Sequence, residues 1–276
     1  MAFNINDYFN EIKPNLVEVE TKVGSMAVYN HDQIISTALL LYGEYCHAEV
    51  DILCRYLNNK SVYLDVGTNI GYQLRAVYFQ SKANCIGFEP HITHFTVAAY
   101  NCQHFPIKII NSALGNGKGK TIISDFDLEV TSNYGEVHIC DEGIEANISR
   151  IDDLKLAGLD AIKIDTEGTE LDVLKGGLRT IKKYRPVILF EANTDYTKSV
   201  KYLEKQNYSF YWVSCRYSPM SANFKGNMNN PFGRAGSTNI LAVPVEREQP
   251  TDLLPLVGGE NHSETVTRIE NYKLVF

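Results

Sequence analysis

Five polar residues stand where apolar, β-forming runs stop: Asp65, Glu89, Ser112, Asp165 and Glu191. Side-chain oxygens there can accept hydrogen bonds from hydroxyl or ammonium groups, and carboxylates among them can also take a proton. In open α/β sheets ligands sit outside the carboxyl ends of the strands, near the switch in strand order. One such residue would mean little. Five at successive strand ends form a constellation.

The first of them opens "DVGTNIG", residues 65–71. A dinucleotide fingerprint reads G-x-G-x-x-G, whereas here Asn69 lies between Gly67 and Gly71 in D-x-G-x-N-x-G. Asparagine visits positive φ more readily than most residues, so the chain can still turn tightly and bring its backbone to a ligand. Asp65 would repel a pyrophosphate and welcome an ammonium group, held directly or through water. Glu89 follows Gly71 by 89 − 71 = 18 residues, at the end of the next strand. That is where an acid reads ribose hydroxyls in nucleotide-binding folds. An amino group beside an adenosine describes S-adenosyl-L-methionine. Taken alone, the turn reads equally well as a plain strand-to-helix loop; with Glu89, ligand binding is favoured. NAD fits less well, because the middle glycine is missing and Asp65 would face its phosphates.

"IKIDTEGTELDVLKGG", residues 162–177, is the most specific segment. A buried strand ends at Asp165, Glu167 follows, and a helix starts near Thr169, whose hydroxyl is placed to cap it. Gly176 and Gly177 fall inside the apolar period, which points to close packing or an early helix end. With "DVGTNIG", "FEP" and "KIDTEGTELDVLKG" in this order, the chain resembles the FkbM-type methyltransferases, which depend on S-adenosyl-L-methionine. The resemblance runs roughly from Tyr42 to Pro244 and includes "NSALG", "RIDDL" and "NILAVP". It implies a class I methyltransferase (Rossmann-like) fold with a seven-stranded, mainly parallel sheet whose last strand is antiparallel. It also implies methyl transfer to oxygen, commonly a hydroxyl of a sugar or a polyketide-like product. By position, the donor site would comprise Asp65, Gly67, Thr68, Asn69, Gly71, Glu89, Pro90 and Asp165, with Ser112 and Ala113 near adenine. Residues 124–147 and 214–237, on the acceptor side, match nothing in the family pattern.

An alcohol is a poor nucleophile until its proton leaves, so a base or a metal is useful. Glu167 or Asp165 would be the base, with Glu191 positioning the acceptor. Charge stabilisation at a helix N-terminus explains Glu167 equally well. A second route seats magnesium on Asp165, Glu191 and Asn193, though no metal is assigned. His91 and His94 read as surface or capping residues, and His138 as the histidine best placed to meet a substrate. The loop "CRYSPMSANFKGNMNNPFGRAG" carries Arg216, Lys225 and Arg234 and suits a lid over a polar or acidic acceptor. A mobile surface connection is the plainer account. Trp212 reads as core.

Two other functions compete. An NAD-dependent oxidoreductase or epimerase would need a Tyr-x-x-x-Lys pair, yet the residue four after Tyr196 is Val200. A silent binding module would be expected to lose strand-end carboxylates, and all are present.

Strands and helices alternate from Ser61 onward, which specifies an α/β, doubly wound sheet. Strands are expected at Val62–Val66, Cys85–Phe88, Ile107–Ile110, "TIISDF", "LDAIKID", "PVILFE", "YSFYWVS" and "NILAVP". Helices are expected over Gln73–Gln80, His91–Gln103, Glu170–Lys183 and Asp195–Gln206, with a short one over Ile151–Ala157. Residues 130–143 read as irregular or hairpin-like. Residues 1–60 are taken as an N-terminal helical extension or lid: residues 1–30 lack a clear period, Asp32 is placed to cap a short helix, and "EYCHAEVDILCRYL" is amphipathic. Residues 61–244 form the methyltransferase domain and 245–276 a tail. With 276 residues, one domain with extensions is expected. A net charge of −7 without a long basic run disfavours nucleic acid. A small-molecule or glycan acceptor, possibly acidic, is the expected partner. Six scattered cysteines, no signal-peptide pattern and no membrane-length apolar run point to the cytoplasm.

Overall fold

In the computed structural model, which describes residues 4–193, 195–219 and 223–256, the alternating pattern becomes one large sheet covered on both faces. Its strands are β3 (Val62–Val66), β4 (Asn84–Phe88), β5 (Lys108–Ile110), β9 (Ala161–Ile164), β10 (Val187–Glu191), β11 (Tyr208–Arg216), β12 (Gly236–Pro244) and β13 (Leu254–Pro255). They lie in the order β13-β11-β12-β10-β9-β3-β4-β5. Neighbours from β10 to β5 pair in parallel, and β12 runs antiparallel to both β10 and β11. The seven expected strands are present, the antiparallel one included. The two-residue β13, from the first part of the expected tail, adds an eighth. The tail beyond Leu256 lies outside the described residues.

Apart from buried Asp65 and Lys163, the central strands are apolar on both faces, as a doubly covered parallel sheet requires. Tyr63, Leu189 and Leu241 face α3 (His47–Cys54), α4 (Tyr72–Ser81) and α5 (Ile92–Cys102). Leu64, Ile162, Phe190 and Trp212 face α6 (Glu170–Gly176), α7 (Leu178–Tyr184) and α8 (Tyr196–Glu204). Trp212 is core, edge-on to Tyr196 at 5.5 Å. The helix expected over Glu170–Lys183 is two helices, α6 and α7, broken at Gly177. Gly176 must be glycine, because a Cβ there would lie 1.9 Å from the Gly115 carbonyl oxygen. The expected helix over Ile151–Ala157 is a single 3-10 turn, Ile151–Asp153.

The N-terminal extension is not purely helical. Between α1 (Ile5–Ile12) and α2 (Ile35–Tyr42) lies a hairpin of β1 (Leu16–Thr21) and β2 (Gly24–Tyr29). The alternation in "VEVET" was its signal, since period two marks a half-buried strand. The Asp32 carboxylate does cap the start of α2, accepting from the amides of Ile34 and Ser36. A small sheet was also missed in part: β8 (Ile144–Ser149) pairs with both β6 (Ala113–Leu114) and β7 (Gly119–Ile123).

Candidate active site

The glycine turn joins β3 to α4 at the carboxyl edge of the sheet. Gly67, Asn69 and Gly71 have φ of 87°, 49° and 87°, so asparagine does take the left-handed conformation. Gly67 cannot carry a side chain, because a Cβ would stand 1.8 Å from the carbonyl oxygen of Asp165. The turn is tied to the next strand: the Gly67 and Thr68 amides donate to the Phe88 carbonyl at 2.9 and 3.1 Å. The Glu89 carboxylate accepts from the amides of Asn69 (2.8 Å) and His91 (2.9 Å). Burial pushes Glu89 up to about 7, and those two amides pull the other way. A solvent-open cleft of about 1230 Å³, its mouth included, lies against this turn. Gly67, Thr68, Asn69, Glu89, Pro90, Ser112, Ala113 and Asp165 all line it.

Asp65 and Gly71 do not. Pleating turns Asp65 into the sheet face, where it is 1% exposed and accepts from the hydroxyls of Thr68 (2.6 Å) and Tyr63 (3.4 Å). It therefore holds a cleft residue from behind. Gly71 serves packing, since a Cβ there would press on Ala98 and Cys102 of α5.

The other end of the cleft is acidic. Asp165, Glu167 and Glu191 each offer an oxygen within 4.8 Å of the others. Glu167 has a positive φ of 52°, an uncommon conformation for a side-chain-bearing residue and one that collects at functional sites. Burial, then repulsion from Asp165, raises Glu167 to about 7. The same two causes raise Glu191 to about 8, and its Oε2 is buried with no hydrogen-bond partner. Asn193, expected in this group, donates to Glu170 and is not among the cleft-lining residues, whereas Glu167 joins Asp165 and Glu191. Thr169 does not cap α6. Glu170 closes that end, its Oε1 accepting from the amides of Thr166 and Gly168 and from the Thr166 hydroxyl.

The Methyltransferase FkbM domain model matches residues 65–210, more than half of the 276-residue chain. The chain belongs to the FkbM methyltransferase family. No curated protein is a significant match. Among solved structures, it is similar to an FkbM methyltransferase from Methylobacillus flagellatus KT at 16% identity and TM-score 0.48, over 67% of this chain and 44% of that one. It is also similar to the Pyrococcus abyssi tRNA (uracil-54, C5)-methyltransferase in complex with S-adenosyl-L-homocysteine: 10% identity, TM-score 0.46, 83% of this chain and 44% of that one. A third is M. capricolum TrmK, also with S-adenosyl-homocysteine: 12% identity, TM-score 0.44, 81% of each chain. This chain therefore spans less than half the length of the first two proteins.

Several residues of this FkbM-family cleft were not singled out from sequence. Lys163 lines it and donates to Asp165 at 2.7 Å. Burial would lower its pKa, but the carboxylates of Asp165, Asp65 and Glu49 hold it up. A lysine inside the apolar run "AIKI" was the available signal. Tyr45 and Tyr217 also line the cleft, stacked at 5.6 Å. At the glycine-turn end Phe126 stacks on His91, His94 and Tyr134 at 4.5, 4.8 and 4.5 Å, folding segment 124–139 over that end. His91 is the cap expected for α5, accepting from the Thr93 amide. His94 is buried and bonded to Tyr29 and the Tyr134 carbonyl, so it is no surface residue. His138 is exposed on the cleft wall. Arg216, Lys225 and Arg234 are not among the lining residues, and Lys225 donates to the Leu39 and Leu40 carbonyls at the end of α2. Among the described residues no helix is long and apolar enough to cross a membrane.

Proposed function

We propose that this chain transfers a methyl group from S-adenosyl-L-methionine to a hydroxyl of a sugar, glycan or secondary-metabolite acceptor. The observation that carries the reading is the continuity of one cleft from the glycine turn to the three carboxylates. The donor end fits an adenosyl group: Phe88, Pro90 and Leu114 give apolar walls, Glu89 offers free lone pairs to ribose hydroxyls, and Ser112 and Ala113 line the same end. The carboxylates suit a cationic ligand and disfavour a pyrophosphate, which with the missing Tyr-x-x-x-Lys pair displaces the oxidoreductase reading. Bound there, the donor would supply an already activated methyl carbon.

The chain's own task is to place the acceptor and receive its proton. Asp165 is committed to Lys163 at 2.7 Å. Glu167, raised to about 7, is near the pKa at which a base works best at neutral pH. It would take the hydroxyl proton while the methyl carbon passes from sulfur to oxygen, the carbon–sulfur bonding pair staying on the thioether sulfur. The unpartnered Glu191 Oε2 lies beside this base and is placed to orient the acceptor before the transfer. A divalent cation on Asp165, Glu167 and Glu191 is the second reading, favoured by their three convergent oxygens.

Calorimetric titration with S-adenosylhomocysteine, followed by labelled-methyl transfer into pooled glycans and metabolites, tests the proposal. Binding with label in an alkali-stable ether supports it. Label on nitrogen or carbon would refute the oxygen assignment, and loss of activity with EDTA would select the cation.

A further inference from the structure

On one face of the sheet lies a largely buried polar cluster, part of it lining the cleft. Asp65 of β3 is in register with Lys163 of β9, and Glu191 of β10 with Asn239 of β12. Ser237 lies two residues from Asn239 on the same face of β12. Over this cluster comes Glu49, carried by α3 of the N-terminal extension and 2% exposed. Its carboxylate accepts from Gln73 of α4 at 2.8 Å, from Asn239 at 2.9 Å and from the Ser237 hydroxyl. All three partners donate and Lys163 faces it, which favours the ionised carboxylate, while burial pushes its pKa up. Gln73, Ser237, Asn239 and Lys163 line the cleft, whereas Glu49 does not. Glu49 therefore acts through its neighbours and through its charge. Lys163, 2% exposed, is the buried cation facing Glu49, Asp65 and Asp165.

Resting on the donor assigned above, we infer that Glu49 and Lys163 are positioning residues that set how strongly the cleft prefers a sulfonium donor over its thioether product. The donor carries one positive charge more than the product. A buried carboxylate behind the wall attracts that charge, and a buried ammonium opposes it. The two residues act with opposite sign on the preference while both order the same wall. A unit charge about 10 Å away in a protein interior of effective dielectric ~20 changes such a preference roughly tenfold. The arrangement gives the extension a part in turnover, because a larger preference lets the donor displace the net-neutral product at a lower donor-to-product ratio.

The test is calorimetry of the full chain with S-adenosylmethionine and with S-adenosylhomocysteine, reading the ratio of the two dissociation constants. Glu49→Gln should reduce the preference for the sulfonium about tenfold, and Lys163→Met should increase it by a similar factor. Glu49→Asp and Lys163→Arg, which keep the charges, should stay near the wild-type ratio. A merely structural role would weaken both ligands by one factor and leave every ratio unchanged, which would overturn the inference. If Lys163→Met fails to fold, the contrast between Glu49→Gln and Glu49→Asp still decides. Wild-type protein that binds neither ligand refutes the donor assignment itself, whereas normal binding with unaltered ratios refutes only the role of this pair.

Discussion

The two ends of the cleft are built on different principles. At the glycine turn the geometry is made by backbone: positive φ at Gly67, Asn69 and Gly71, amides bonded to Phe88, and Glu89 held by two more amides. At the tips of β9 and β10 the geometry is made by side chains that repel one another. There one residue has an uncommon φ, two carboxyls are raised and one oxygen lacks a partner. Satisfied hydrogen bonds fix a shape, and unsatisfied charge stores a capacity to bind a proton or a cation. Under the proposed function, the contrast assigns recognition to one end and chemistry to the other.

The largest expected effect comes from breaking the backbone end. Gly67→Ala would place a methyl 1.8 Å from the Asp165 carbonyl oxygen at a φ of 87°. Relief requires moving the turn or the β9 loop, at a cost of about 3 kcal/mol or more. Thermal unfolding should register the loss, and any folded fraction should lack measurable affinity for S-adenosylhomocysteine. Full affinity in this variant would show that the turn does not shape the donor end.

Next is the chemical end. Glu167→Gln should lower kcat by about 10²- to 10⁴-fold, the usual contribution of a general base. Donor affinity should stay near wild type. A fall in affinity with kcat preserved would reverse the proposed division of labour. The pH dependence sharpens the same point. A base must be ionised to work, so the rate should rise with pH through the region of about 7 to 8 set by Glu167 and Glu191. Because the two carboxyls interact, the limb belongs to the pair. Either single Gln substitution should move it.

The same contrast explains what was legible in sequence. Period-two and helical apolar patterns follow from burial, so the strands and helices of the domain could be read, as could the glycine turn with its need for positive φ. What escaped depends on contacts between distant segments. Asp65 looks like a ligand because it precedes the turn, but the pleat that aims it at Lys163 is set by its pairing with β9. Asn193 and Glu167 both follow strand ends, and only the fold shows Asn193 bonded to Glu170 and Glu167 beside Asp165 and Glu191. Glu49 lies in a segment with no motif, and its partners are 24, 188 and 190 residues away. Lys225 reads as a free cation until the fold brings the carbonyls of α2 to it.

The smallest effect concerns stability. Glu191 is raised to about 8 in the folded chain from a usual value of 4.5, by burial first and then by Asp165. Between those values the folded state holds a proton that the unfolded state has lost, so folding stability falls as pH rises through this window. Above about 8 the carboxylate is charged in both states, and the full cost of burying it is present. Glutamine has no such charge to bury. Glu191→Gln should therefore change the melting temperature little near pH 5 and raise it by a few degrees near pH 9, both about a unit or less from the edges of the window. An equal shift at the two pH values would mean that Glu191 does not carry the stored repulsion, and the acidic end would then have to draw its perturbation from Glu167 alone.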